Sequence, residues 1–467
     1  MGVPDGEIMS MLMRALGSAL ISIVAVLLSF GVMYGICTGL GVDASSAILA
    51  AALTVGLMRR PEKLGARALA AKFLKLPLIA LVAGAIGLAL LKWPIVGALL
   101  FTGGITLSVL LRRYGSRARS IGSVLALSLM SILVVPVHID IGQGRWTPPA
   151  LMVAAGLISL ASTVVMTWLA ANMAAAADRE PPYIERGYVP RAGEIHIAMR
   201  MALQMFTALG LAFALGLALF PTHWAWVVLT AFIVCSGTVD RGDAVYKGLL
   251  RLAGAIGGAV LAALVAQVAF PNPASYATAV FFILFLGIWL RQINYAYWAA
   301  AATLIFALLQ GSHGADILPL LGMRLACIVI GALCGVAATW LIYPIRSDQL
   351  ARKRVAEALT TLRDMLAHKP GSPEHAVGVA NLEHHAAELE RLAPPHYLHR
   401  RVFGASEPDQ HPATWIRLMR NLLAQARSPD FDRAQAGAEM RRLGAMLKVQ
   451  TPTSSQKLES SDSASGK

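Results

Sequence analysis

Long apolar runs, broken by short loops that carry charge, Pro or Gly, fill the first 344 positions of the chain. A helix needs roughly 20 mostly apolar residues to cross the hydrocarbon core of a bilayer. Length, flanking charge and breaks predict twelve such spans. The first six lie at 16–40, 43–58, 76–91, 94–111, 121–136 and 150–174. The second six lie at 196–220, 223–237, 249–270, 276–290, 296–311 and 320–344. Several are shorter than a full crossing, which predicts helices that continue into their loops. Most are apolar all round, as helices are in lipid or inside a large bundle.

After Tyr343-Pro344 the pattern becomes amphipathic. "SDQLARKRVAEALTTLRDML" places apolar residues at helical spacing. Ser372-Pro373 and Ser428-Pro429 each read as an N-cap followed by proline in the first turn of a helix. The chain is therefore expected to be all-α and polytopic, with about twelve transmembrane helices as two six-helix repeats and a small C-terminal cytoplasmic helical domain. The expected boundaries are a first membrane repeat over 1–175, a cytoplasmic linker over 176–195, a second membrane repeat over 196–344 and a cytoplasmic helical domain over 345–448. The tail 449–467 is too polar to bury a core and is expected to be disordered.

Composition agrees with the pattern. The chain is 57% hydrophobic and 14% charged, against about half and about a quarter for soluble domains. The apolar stretch near the N-terminus is longer than the core of a secretory leader, so it is expected to be a retained first span. The net charge of +14 raises nucleic acid as a partner, but its placement argues against that. Lys and Arg gather at 59–75, at Arg112, Arg113, Arg117 and Arg119, in the linker, and at Arg241 and Lys247. With twelve spans these loops share one side, which the positive-inside rule makes cytoplasmic, with both termini.

A repeat is visible in the segments that open the two halves. "GEIMSMLMRAL" (6–16) and "GEIHIAMRMAL" (193–203) each enter a first span, and "AGAIG" occurs at 83–87 and 253–257, in the third span of each half. Two halves of six spans both enter from the cytoplasm, so they would be related by an axis along the membrane normal.

The candidate chemistry is sparse. No phosphate-binding glycine loop, nucleophile elbow or metal-ligand spacing is present, so no catalytic residue, metal or cofactor is expected. Cys37, Cys235, Cys327 and Cys334 all lie in apolar runs and read as small packing residues. Asp140, Asp240, Asp243, Asp316 and His223 are the candidate proton carriers, each near an interface. Asp240, Arg241 and Asp243 lie in a cytoplasmic loop, where they set orientation, cap a helix or serve gating. Gly254, Gly257, Gly258, Gly331 and Gly335 are expected to let helices approach closely. Arg251 and Arg324 sit inside apolar runs. Either they snorkel to an interface, or they line a path that attracts carboxylates. Trp224 and Trp226 belong to an interfacial belt or form a stacking surface; two apart, they do not share a helix face.

The stretch "HWAWVVLTAFIVCSGTVDRGDAVYKGLLRLAGAIGGAVLAALVA" resembles the fusaric-acid-resistance-like (FUSC) membrane domain, grouped with the aromatic acid exporters. The family pattern of an arginine followed by spaced glycines reads here Arg251, Gly254 and Gly257, with Ala255 where the family often has threonine. The resemblance implies an inner-membrane, multi-pass efflux protein for organic anions such as aromatic carboxylic acids, in some relatives working with a periplasmic adaptor. A passive organic-anion channel on the same scaffold is the alternative. A membrane scaffold that recruits a partner through its C-terminal bundle is the alternative of another class. The expected partners are the lipid bilayer, a small organic anion and further copies of the chain.

Overall fold

The computed structural model describes residues 5–58, 79, 81–134, 147–173, 197–238, 240–265, 272–311, 317–344, 347–368, 373–404, 411–425 and 433–449. The expected linker 176–195 and tail residues 450–467 lie outside them, as do Asp140, Asp316 and the basic segment 59–75. Among the described residues every regular element is helical. In the first half these are α1 (Asp5–Gly39), α2 (Ser45–Met58), α3 (Leu81–Lys92), α4 (Pro94–Leu110), α5 (Ser116–Val134) and α6 (Thr147–Met173). In the second half they are α7 (Ile197–Leu219), α8 (Trp224–Cys235), α9 (Arg241–Val265), α10 (Pro273–Leu290), α11 (Tyr295–Gly311) and α12 (Ile317–Leu341). Four polar helices follow: α13 (Ser347–Ala367), α14 (Pro373–Phe403), α15 (Pro412–Gln425) and α16 (Arg433–Val449).

Five stretches are long and apolar enough to cross a membrane: Ala15–Gly39, Ala150–Ala170, Ala198–Leu219, Arg241–Val265 and Pro319–Leu341. The other apolar helices are shorter, at 10–17 residues. Local chemistry sets several of the ends. Pro94 and Pro273 open α4 and α10, where a missing N–H costs nothing. Asn272 and Ser275 close a reciprocal capping box on α10.

The chain divides into two compact units, 1–177 with 192–237 and 247–343, and 178–191 with 238–246 and 344–467. In the first unit, α1, α2 and α6 pack on one another around Met33, Cys37, Ala50 and Ala155. Six helices later, α7, α8 and α12 form the same triangle around Leu209, Val227, Ala231 and Cys334. The pairing of α4 with α5 recurs as α10 with α11, and the contact of α4 with α7 has its counterpart in α10 with α1.

Glycine lets these helices touch at backbone distance. A Cβ on Gly331 would run into Val227 O and lie 2.8 Å from Thr230 Cβ, so α12 lies directly on α8. Gly335, one turn on, meets Val234 in the same way, at 2.9 Å. On α9, a Cβ at Gly254 would strike Ala296 O, and one at Gly258 would strike Ala300 O, so α9 lies directly on α11. Gly248 turns instead to Ala332 of α12, at 3.7 Å. Gly257 faces open space. Dispersion and backbone approach hold such contacts in lipid, where the hydrophobic effect gives no help.

The second unit has a water-type core. Ala351, Val355, Ala358 and Leu362 of α13, spaced by three and four, face Trp415, Ile416, Met419 and Leu422 of α15. Arg354 bridges Glu357 and Glu388 at 2.9 and 3.1 Å on its partly exposed surface, a small contribution in water.

The glycine contacts predict a contrast between neighbouring positions. Gly258→Val and Gly331→Val should each destabilise the detergent-solubilised protein by about 1–3 kcal/mol through overpacking. Gly257→Ala should leave the thermal midpoint unchanged.

Candidate functional site

Helices α8, α9, α11 and α12 bring the buried polar groups of the second half into one bundle. Arg324, on the third turn of α12, is 4% exposed and Arg251 of α9 is 3% exposed. The guanidinium of Arg324 lies against two rings. Its central carbon lies 5.0 Å from the ring centre of Trp226 on α8 and 4.4 Å from that of Phe306 on α11. The Trp226 ring also lies 4.6 Å from the His223 ring, whose Nδ1 is 2.8 Å from Thr222 Oγ1.

The rings do not satisfy the arginine. Nε and Nη1 of Arg324 and Nε of Arg251 are buried without a hydrogen bond. Each cation–π contact contributes up to about 2 kcal/mol when dry. Each unmet buried donor costs about 1–3 kcal/mol, and the ion itself costs at least about 2.5–3.5 kcal/mol at mid-membrane depth. The costs together exceed what the two rings return, so the arginine remains unsatisfied. Nor, among the described residues, does a carboxylate relieve it. Between residues 244 and 347 the chain holds one acidic residue, Asp316, which lies outside the described residues. Arg251 adds a like charge to the surroundings of Arg324. Arginine does not shed its proton to escape.

Two threonines add donors. Thr230 lies one turn beyond Trp226 on α8, and Thr303 lies one turn before Phe306 on α11. Both are fully buried, and both Oγ atoms lack a hydrogen bond. The matching triangle of the first half is self-satisfied: Thr54 donates to Ser29 Oγ at 2.8 Å, and Ser159 donates to Ala50 O at 2.8 Å. Two cations and two hydroxyls of the second half are thus left with unmet groups.

The other predicted residues go elsewhere. Trp224 faces α7, with its ring 5.4 Å from that of Phe213 and its backbone against Gly216. Asp240 caps α9, its Oδ1 accepting from the Asp243 N–H at 2.9 Å. The same oxygen accepts from Ser347 Oγ at 2.7 Å, and Ser347 Oγ accepts from the Gly242 N–H at 3.0 Å. Arg241 is the first residue of α9. Cys37, Cys235, Cys327 and Cys334 are free and buried. Among the described residues no group of three or more His, Cys, Asp or Glu could hold a metal ion. Sequence reasoning missed Thr230, Thr303, Phe306 and Ser347. The four-residue step from Trp226 to Thr230, on one helix face, was the available signal for the first.

Residues 207–338 match a known family model. That family is fusaric acid resistance protein-like. The matched stretch of this fusaric acid resistance protein-like region contains Trp226, Thr230, Arg251, Thr303, Phe306 and Arg324, while 1–206 and 339–467 lie outside the match. Comparison with curated proteins and with solved structures finds no match. The family match and the apolar helices together make the chain a multi-pass membrane protein of transport type.

If Arg324 is an unsatisfied ion in an apolar bundle, removing its charge should not weaken the fold. Arg324→Met should keep or raise thermal stability, by up to about 4 kcal/mol, in detergent unfolding. A fall of similar size would mean that the charge is structurally compensated.

Proposed function

We propose that the protein exports small organic anions, in particular aromatic carboxylic acids, across the bacterial inner membrane as a secondary transporter. The observation that carries this is Arg324, held against Trp226 and Phe306 with two buried N–H groups unmet and, among the described residues, no carboxylate beside it. A planar carboxylate matches the guanidinium fork, and the two rings suit a flat apolar body. Arg251 lies ten residues into α9, about 15 Å along its axis. Arg324 lies seven residues into α12, about 10 Å along its own axis. On the twelve-span topology α9 and α12 start from opposite faces, so the two arginines form an inner and an outer station. The mutual repulsion of the arginines would help an anion leave one station for the other.

Twelve spans with both termini in the cytoplasm fit this reading, with the short apolar helices counted as crossings. The recurrence of the α1, α2 and α6 triangle as α7, α8 and α12 supports two six-helix repeats about an axis along the membrane normal. The unsatisfied groups lie in the second repeat, so the path is assigned there. A periplasmic adaptor and a second copy of the chain are the candidate partners.

The test is flux of benzoate and related aromatic acids from liposomes holding the purified protein. Arg324→Gln and Arg251→Gln should each lower the initial rate at least about tenfold, the loss of one charge-assisted bond in the path. Flux that stops when the proton gradient is collapsed marks a coupled exporter; current that follows the anion gradient alone marks a channel. Unchanged rates in both variants would remove the arginines from the path.

A further inference from the structure

The charged segment 238–246 groups with residues 344–467 and not with the apolar helices on either side of it in the sequence. It is held there by Asp240, Gly242 and Ser347, with Asp240 3% exposed. The space is tight: a Cβ on Gly242 would lie 2.9 Å from Ser347 Oγ, 3.2 Å from Asp240 Oδ1 and 3.5 Å from Pro395 Cβ. Pro394 and Pro395 stand inside α14, and the next residue is His396, 7% exposed. Two atoms here are buried without a hydrogen bond, His396 Nε2 and Asp240 Oδ2.

Two more histidines complete the cluster. The His411 ring lies 6.5 Å from that of His396 and 5.6 Å from that of His399, and His411 Nε2 is 3.4 Å from His399 Nδ1. That contact is a hydrogen bond while one of the two nitrogens lacks a proton, and a repulsion once both rings are charged. The groups that face His396 are Asp240 at the start of α9, Asp348 on α13, His399 on its own helix and His411 ahead of α15. His411 is faced by His396, His399 and Arg400. Burial pushes the His396 imidazole below its ordinary value, and Asp240 partly opposes this. Burial pushes His411 down too, and repulsion from the neighbouring cationic groups adds to it. The folded unit thus holds fewer protons here than the unfolded chain. Its stability is full above the ordinary histidine value of about 6.5 and falls as the pH drops through it.

We propose that Asp240, Ser347 and the histidines 396, 399 and 411 form an acid-released latch on the first turn of α9. With the histidines neutral, Asp240 caps the helix and holds Ser347. Protons make His396 and His411 cations inside a buried cluster, where His411 also faces Arg400. Burial and the repulsion among these neighbouring groups disfavour the charged cluster, and the turn that packs on it is freed. A weak organic acid that enters a cell uncharged leaves its proton inside, so a rising load of such an acid would itself open the latch. That the freed turn raises transport past Arg251, ten residues along the same helix, rests on the function proposed above; the latch does not.

The test is backbone hydrogen exchange of the full-length protein in lipid nanodiscs at about pH 7.5 and about pH 5.5, corrected for intrinsic rates. Protection over 240–246 should fall roughly tenfold or more at the lower pH in the wild type. His396→Gln should reduce that fall to about twofold or less, while His368→Gln, at an exposed histidine outside the cluster, should keep it. Ser347→Ala should lower protection at both pH values. It removes one hydroxyl from a helix start, so it serves if the His396 variant does not fold. Equal wild-type protection at both pH values, or a full response in His396→Gln, would overturn the latch. None of these measurements reads flux, so their failure leaves the anion site standing, and a protein that moves no anion leaves the latch standing.

Discussion

The second-half bundle is organised around a guanidinium that keeps its charge and that, among the described residues, no carboxylate meets. Arg324 is buried, lies against two rings, and still has donors to offer. A folded protein tolerates such a group when the surroundings hold it in place or when a ligand supplies the missing charge. Here the surroundings are four helices locked by glycine. Gly331 and Gly335 set α12 on α8, whose Trp226 lies against Arg324; Gly254 and Gly258 set α9 on α11, whose Phe306 lies against it too. Small residues a turn apart thus decide where the charge sits, although none of them touches it.

The comparison of the two halves sharpens this. The triangles of α1, α2 and α6 and of α7, α8 and α12 pack alike. In the first, hydroxyls answer one another, Thr54 with Ser29 and Ser159 with a backbone carbonyl. In the second, Thr230 and Arg324 are left with unmet groups. Packing alone does not explain the difference, because the same packing is achieved without it.

Much of this was legible in the sequence because lipid is a strict solvent. It demands apolar length and internally satisfied backbone, and the pattern of apolar runs reports both. Arg324 stood out for the same reason, as an ion where ions are costly. The glycines at four-residue spacing pointed to close helix pairs, yet Gly257, between them in the sequence, faces open space. Which of Trp224 and Trp226 faces the arginine was not legible, since that depends on how α8 is rotated against α7 and α12. Thr303 and Phe306 read as ordinary span residues; only the register of α11 against α12 makes them part of a site. Ser347 read as the start of a soluble helix, and nothing local announced that its hydroxyl would meet Asp240, more than a hundred residues earlier.

That long-range hydrogen bond changes the meaning of the charged segment between α8 and α9. By charge alone it is an orientation signal, and any few basic residues would serve. The structure uses it more narrowly. Asp240 caps α9 with one oxygen, the same oxygen takes the Ser347 hydroxyl, and Gly242 is required because a side chain there would collide with both. A segment needed only for topology would not have to be this tightly fitted against the C-terminal bundle. The helix it starts carries Arg251 in its interior.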